Sequence, residues 1–316
     1  MPRRPDLVEV LLERRALSRG ALARRSTATL TRQQRRALAP REPKGPQLLY
    51  LRALRSVVED MEEVTDRVLG PILEEIAGPA GTEQVGENSI VERAHVRGDA
   101  LSGRYARRMA QLEVAITERV QEKRVGVTLR EVAKAVFLHN RAEMSRVLNI
   151  DLRKSEVGLE PFIRRFVDQN VRLIQSVATD QLQRMESVVE QAVGGQVRVE
   201  VLRDRIQHTF NVSESRAALI ARDQTLKHNA QLTQLRQQQV GVTEYIWTSS
   251  RDERVRGRPG GKWANSQADH WSLDGTRQSW LSAPVTNPET GERNHPGEDF
   301  QCRCTATPII DHLLRG

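Results

Sequence analysis

Aromatic side chains make up only 4% of this 316-residue chain, and there are just 2 cysteines. So few rings argue against a large, compact sheet core and favour amphipathic helices with much solvated surface. No run of about 18 apolar residues occurs. The arginine-bearing N-terminus also lacks a continuous apolar stretch ending in a small-residue cleavage site, which excludes membrane-spanning and secreted readings. Cys302 and Cys304 are one residue apart. That is too close for an unstrained mutual disulfide, so the chain is not disulfide-built and suits a reducing compartment. The length allows two domains, or three short ones.

Charge of one sign is concentrated rather than spread. Lys and Arg number 49 against 41 Asp and Glu, a formal net charge of +8. Residues 1–45 hold 12 of the basic and 4 of the acidic groups, so this segment carries the whole excess and the rest of the chain sums to zero. An arm of this kind suits phosphates, with salt-sensitive affinity, or an acidic protein surface. Its candidate contact residues are the paired arginines Arg14, Arg15, Arg24, Arg25, Arg35 and Arg36. No aromatic residue is interleaved for base stacking.

Beyond Pro40, Pro43, Gly45 and Pro46, apolar residues recur at helical spacing from Leu51 to Val68, with Gly70-Pro71 expected to interrupt them. The pattern predicts further helices over 89–122 and 128–150 and a long one over 159–193. Shorter helices follow over about 197–209 and 213–239, the last with Ser213 as N-cap. Phe166, Val171, Ile174 and Leu182 are candidate core positions, and Val114 is counted among the apolar positions of 89–122. Past Gly241 the composition changes: all 4 tryptophans lie there, with many glycines and prolines. Thr243–Thr248 alternates as a strand, and Cys302, Cys304 and Ala306 fall on one face of another. The fold class expected is mainly α: an elongated helical body over 47–240, a small loop-rich α+β C-terminal module over 241–316, and a basic N-terminal arm over 1–46. A module this small needs a staple such as a metal, or docking against a helical body.

Familiar catalytic signatures fail. Gly257-Arg-Pro-Gly-Gly-Lys262 lacks the first glycine and the Ser/Thr of a phosphate loop and reads as a turn. There is no zinc-deaminase pattern, no Gly-x-Ser-x-Gly elbow and no His-Glu-x-x-His helix. What remains is a set of potential ligands in the last module: Asp252, His270, Asp274, His295, Cys302 and Cys304. Thiolates and imidazoles are what zinc selects, so His270, His295, Cys302 and Cys304 are the candidate ligands of one structural zinc, with ordinary packing cysteines as the competing reading.

Asp252-Glu-Arg-Val-Arg256, His270-Trp-Ser-Leu-Asp-Gly275, His295-Pro296 and Cys302-Arg-Cys304, in that order, resemble the signature of the phage Mu F-like minor head proteins, the head-morphogenesis family of tailed phages. Asn170–Ile174, Gly194-Gly195, Phe210, Ser213, Arg216, Ile220–Arg222 and Trp247-Thr248 are similar to that family's helical region. Gly257–Asp269 stands as an insertion between the first two elements. The resemblance covers roughly 160–310. It implies a non-enzymatic minor capsid protein of the virion, associated with the portal inside the head, and aiding head assembly and genome delivery. It would meet capsid or scaffolding protein and packaged DNA, and no membrane; during assembly it would reside in the host cytoplasm. The alternatives are a DNA-binding protein acting through the Arg-rich arm and a metal-dependent nuclease built on His270 and His295.

Overall fold

The computed structural model describes residues 38–77, 103–119, 124–148, 151–152, 159–193 and 199–310. Most of the basic arm, including all six candidate arginines, lies outside the described residues. The fold is mainly α, as expected. Helix α1 spans Lys44–Ala77, α2 covers 103–119, α3 spans Arg124–Leu148, α4 Leu159–Val193 and α5 Val199–Gln239. Five short strands follow: β1 Glu244–Thr248, β2 Arg277–Ser279, β3 Val285–Asn287, β4 Glu292–Arg293 and β5 Thr305–Pro308.

Two helix boundaries differ from the sequence expectation. Gly70-Pro71 does not interrupt α1, which carries Pro71 inside it. An interior proline costs about 3 kcal/mol. Leu69 and Ile72 flank it and are buried, and burying two such side chains returns about as much. The two helices expected at 197–209 and 213–239 are one, α5, and Ser213 is not a cap. Its fully buried hydroxyl donates to Gln181 Oε1 on α4 at 2.7 Å, so it serves a helix contact rather than a helix start.

The chain forms two compact units. One contains 48–131 and 164–221. Its core joins Tyr50, Leu54, Val58 and Met61 of α1, Leu112 and Ile116 of α2, Phe166, Ile174 and Met185 of α4, and Leu202 and Phe210 of α5, all buried. Of the candidate core positions, Phe166 and Ile174 are buried, whereas Val171 and Leu182 are half-buried. Val114 is exposed, because α2 turns the stripe of Tyr105, Leu112 and Ile116 inward. Two polar pairs lie in this core: Tyr50 Oη donates to Asn170 Oδ1 at 2.6 Å, and Gln181 Nε2 donates to Thr209 Oγ1 at 2.7 Å, whereas the buried Tyr105 hydroxyl has no hydrogen-bond partner among the described residues.

The other unit contains residues up to 47, 132–163 and 222–316. Here α3 and the second half of α5 are tied by a buried polar network. Asn140 Nδ2 donates to Thr233 Oγ1 and to the Asn229 carbonyl, while the Arg236 guanidinium donates to Asn140 Oδ1 and stacks over Phe137. Just past the end of α5, Gly241 has a left-handed φ of 82°, its N–H reaching Gln238 O and the next N–H reaching Gln237 O. The chain then enters β1, the middle of a three-stranded antiparallel sheet ordered β2-β1-β5, with Tyr245 opposite Gln278 and Pro308, and Trp247 opposite Ala306. β1 does not alternate: Tyr245, Ile246 and Trp247 are all buried, as befits a central strand covered on both faces. β3 and β4 form a separate bulged hairpin.

Docking onto helix supplies the core that the small sheet lacks. Met144, Val147 and Leu148 of α3 join Val240, Tyr245, Trp247, Trp280, Cys302, Cys304 and Ile310 in one buried cluster. Gln237 of α5 clasps it, its side chain donating to Ala306 O at 2.9 Å and accepting from Trp280 Nε1 at 3.0 Å. At Gly297 the loop runs so close to α5 that a Cβ would lie 2.6 Å from that of Ala230.

Candidate metal centre

Cys302 and Cys304 precede β5 rather than lying within it, and both are buried beneath β1. His270 is brought to them by the loop of the 257–269 insertion, which closes on itself. Gly257 N–H meets Trp263 O at 3.0 Å, and the N–H groups of His270 and Trp271 both reach Arg256 O, at 3.1 and 3.0 Å. The insertion is a series of turns, as the Gly-Arg-Pro-Gly-Gly stretch suggests, and it leaves Arg256 and His270 as immediate neighbours.

His270, Cys302 and Cys304 place one ligand atom each within 4.8 Å of one another, and among the described residues they are the one group of His, Cys and acidic residues that does so. The imidazole presents Nδ1 to the sulfurs, 3.5 Å from Cys302 Sγ and 3.8 Å from Cys304 Sγ. Behind it, Nε2 lies 3.1 Å from Asp299 Oδ2, at ion-pair distance but poorly aligned for a hydrogen bond. Asp299 also receives Arg256 Nη1 at 3.0 Å. The Trp247 ring meets the imidazole edge-on, with centroids 5.4 Å apart.

The electrostatics follow from this packing. Burial alone would lower His270, but Asp299 on one side and Cys302 on the other raise its pKa to about 9. Cys302 is pulled well below the ordinary thiol value by the Cys304 S–H, which it accepts, and by His270; Cys304 is pushed up by its bond to Cys302 and by burial. Burial would raise Asp299, yet His270 and Arg256 hold it below its usual range.

This donor set fits a zinc ion. With Zn–S near 2.3 Å and Zn–N near 2.0–2.1 Å, a tetrahedral N···S edge is about 3.6 Å, close to the 3.5 and 3.8 Å observed. A carboxylate behind the ligating imidazole is the arrangement that fixes its tautomer in metal sites. Asp299 was not singled out from sequence, where it is one of 41 acidic residues with no motif of its own.

His295 is not in this group. Its Nδ1 lies 2.9 Å from Tyr245 Oη, and its ring packs on Trp280 with centroids 4.9 Å apart. Asp274 clamps a turn, accepting Ser249 N–H at 2.9 Å and pairing with Arg251. Asp252 pairs with Arg303 and accepts the Arg254 N–H.

A mainly helical chain with a small Cys/His-centred module in this order of elements is the class that the fold and site define. Residues 183–307 match the family of phage Mu protein F like proteins, a segment holding α5, the sheet and the entire His270–Cys302–Cys304 centre. Over that segment the chain is similar to that family. A Haemophilus influenzae protein described as uncharacterized is 35% identical over 146 residues, which is 45% of this chain and 28% of the relative. The match thus spans under a third of that relative's length. No solved structure matches the chain.

Proposed function

We propose that the protein is a minor capsid protein of a tailed phage, bound to the portal inside the head, where it aids head assembly and genome delivery. The observation that carries this reading is the Mu F-like match over 183–307, which contains both the helix and the Cys/His module docked on it. The basic arm suits a DNA-filled shell. Within this reading the Cys/His centre holds one zinc through His270 Nδ1 and the two sulfurs, with Asp299 orienting the imidazole. The metal would cross-link the loop that leaves β1 to the loop that enters β5, beyond the end of the β1–β5 ladder. His270, Cys302 and Cys304 supply three of the four ligands of a tetrahedral zinc, and all three are buried. The nuclease alternative asks His270 and His295 to act together, and His295 is engaged with Tyr245 instead.

The test is co-expression of the full chain with the portal protein of the same phage, followed by size-exclusion chromatography. Co-elution at a fixed ratio supports the reading. Separate elution at micromolar concentration counts against portal binding.

A further inference from the structure

We propose that the groove between α2 and α4 is a binding site for a linear aliphatic polyamine. Both walls belong to one compact unit, and the groove holds about 830 Å³, a volume within the range of small-molecule sites. Its lining is apolar at Met109 and Leu182, and no Lys or Arg stands among the described residues that form it. Three carboxylates do: Glu113 on the α2 wall, and Glu186 and Glu190 on the α4 wall. All three are exposed, and none has a cationic partner among the described residues.

An acidic rim by itself is only a solvated surface. What sets this one apart is Tyr105, which lines the same groove, is 7% exposed, and has a hydroxyl with no hydrogen-bond partner among the described residues. A buried hydroxyl left unpaired is costly, and a donor entering the groove would relieve it. Burial, and then the charges of Glu186 and Glu190, push the Tyr105 pKa up. This end of the groove therefore combines two negative charges with an unused oxygen acceptor.

The arrangement of the charges selects the ligand. Among the described residues, the one group of three or more His, Cys and acidic side chains with ligand atoms within 4.8 Å of one another is that at His270, so the three glutamates stand too far apart to share a metal ion. Glu186 and Glu190 are one turn apart on α4, about 5–6 Å between Cβ atoms, and Glu113 stands on the facing helix. Separated negative charges beside an apolar lining call for separated cations joined by methylenes. In a polyamine each ammonium donates to a carboxylate or to the Tyr105 hydroxyl, while the chain between them covers Met109 and Leu182. An extended peptide would instead bring backbone carbonyls for which those two side chains have no donor.

Isothermal titration calorimetry of spermidine into the full chain at low ionic strength tests this. A single spermidine should bind per chain. Glu186→Gln should weaken binding about tenfold, the worth of one charge-assisted hydrogen bond. Glu118→Gln removes an equal charge from α2 outside the groove, and should change affinity by less than about twofold. Tyr105→Phe should weaken binding several-fold yet leave the free protein at least as stable to heat, because it removes an unpaired hydroxyl; a tyrosine with a purely structural role would not separate those two readouts. Absence of binding refutes the site. So do equal losses from Glu186→Gln and Glu118→Gln, or displacement of spermidine by the same concentration of magnesium, since either would reveal diffuse attraction to an acidic surface. An amphipathic, lysine-rich helical peptide that binds where spermidine does not would make the groove a protein-docking face, which also overturns the proposal. Neither portal nor DNA is present, so the outcome is independent of the assembly reading.

Discussion

Moving from pH 7 to pH 8 should affect the metal-loaded and metal-free proteins differently. Without metal, His270 keeps its proton up to about 9, the Cys302 thiol is pulled well below the ordinary value and the Cys304 thiol is pushed well above it. The unfolded chain at the same pH has a neutral imidazole and two thiols. The raised His270 contributes stability that is full below about 6.5 and fades as pH rises through about 9. The depressed Cys302 contributes stability that is present above the ordinary thiol value and fades as pH falls through its lowered one. Between those limits the two slopes cancel, since folded and unfolded states bind equal numbers of protons. Where those two slopes overlap metal-free stability should therefore be nearly flat, and it should fall as pH rises past the ordinary thiol value, because the raised Cys304 then keeps its proton in the folded chain alone. With zinc bound, both sulfurs are thiolates and the imidazole is neutral, so unfolding takes up about two protons. At about 1.36 kcal/mol per proton per pH unit, stability then rises by about 2.7 kcal/mol over that unit. For a unit of this size the gain is roughly 5–10 °C in melting temperature. Thermal unfolding at fixed free zinc, compared with unfolding in excess chelator, measures both slopes. Identical pH dependence with and without metal would refute the reasoning, as would a chelator that changes nothing.

Ile174→Asp would bury an unpaired carboxylate in the α1–α4 core and should cost at least about 3 kcal/mol by urea denaturation; a loss under about 1 kcal/mol would show the site to be wet. Gly297→Ala meets both a φ of +89° and a 2.6 Å approach to Ala230, and should lower stability by about 1–3 kcal/mol, more than Gly291→Ala, whose added methyl meets open space. Equal effects at the two glycines would remove the argument for close docking on α5. Deleting residues 1–37 should remove most of the salt-sensitive DNA binding, without changing the helical circular dichroism per residue of the remainder. Portal association should survive that deletion, and its complete loss would make the arm the docking element.

Much of the helical framework was legible because apolar residues recur at 3.6 spacing. Leu54, Val58, Met61 and Val64 in α1, and Val132, Val136 and Met144 in α3, are buried where that spacing puts them. α5 was harder, because its middle buries Thr209, Ser213 and Thr225 rather than a clean apolar stripe, and a serine that could cap a helix instead bonds to α4. Pro71 read as a break since local propensity carries no information on the burial of its neighbours. In the module, His270 with Cys302 and Cys304 could be nominated from residue type alone, whereas His295 was as good a candidate on type. What separates them is the closed insertion that carries His270 under β1, and the Tyr245 hydroxyl that engages His295. Asp299 leaves no trace in the sequence, because its role depends on His270 and Arg256, which are 29 and 43 residues away along the chain.

Quantitative mass spectrometry of purified phage particles, with the portal protein as internal reference, is the measurement that bears on the assignment as a whole. A minor head protein should appear at a constant ratio to the portal in every preparation and persist after stringent washing. Its absence from particles, while it remains abundant in the lysate from which they were purified, would contradict that assignment.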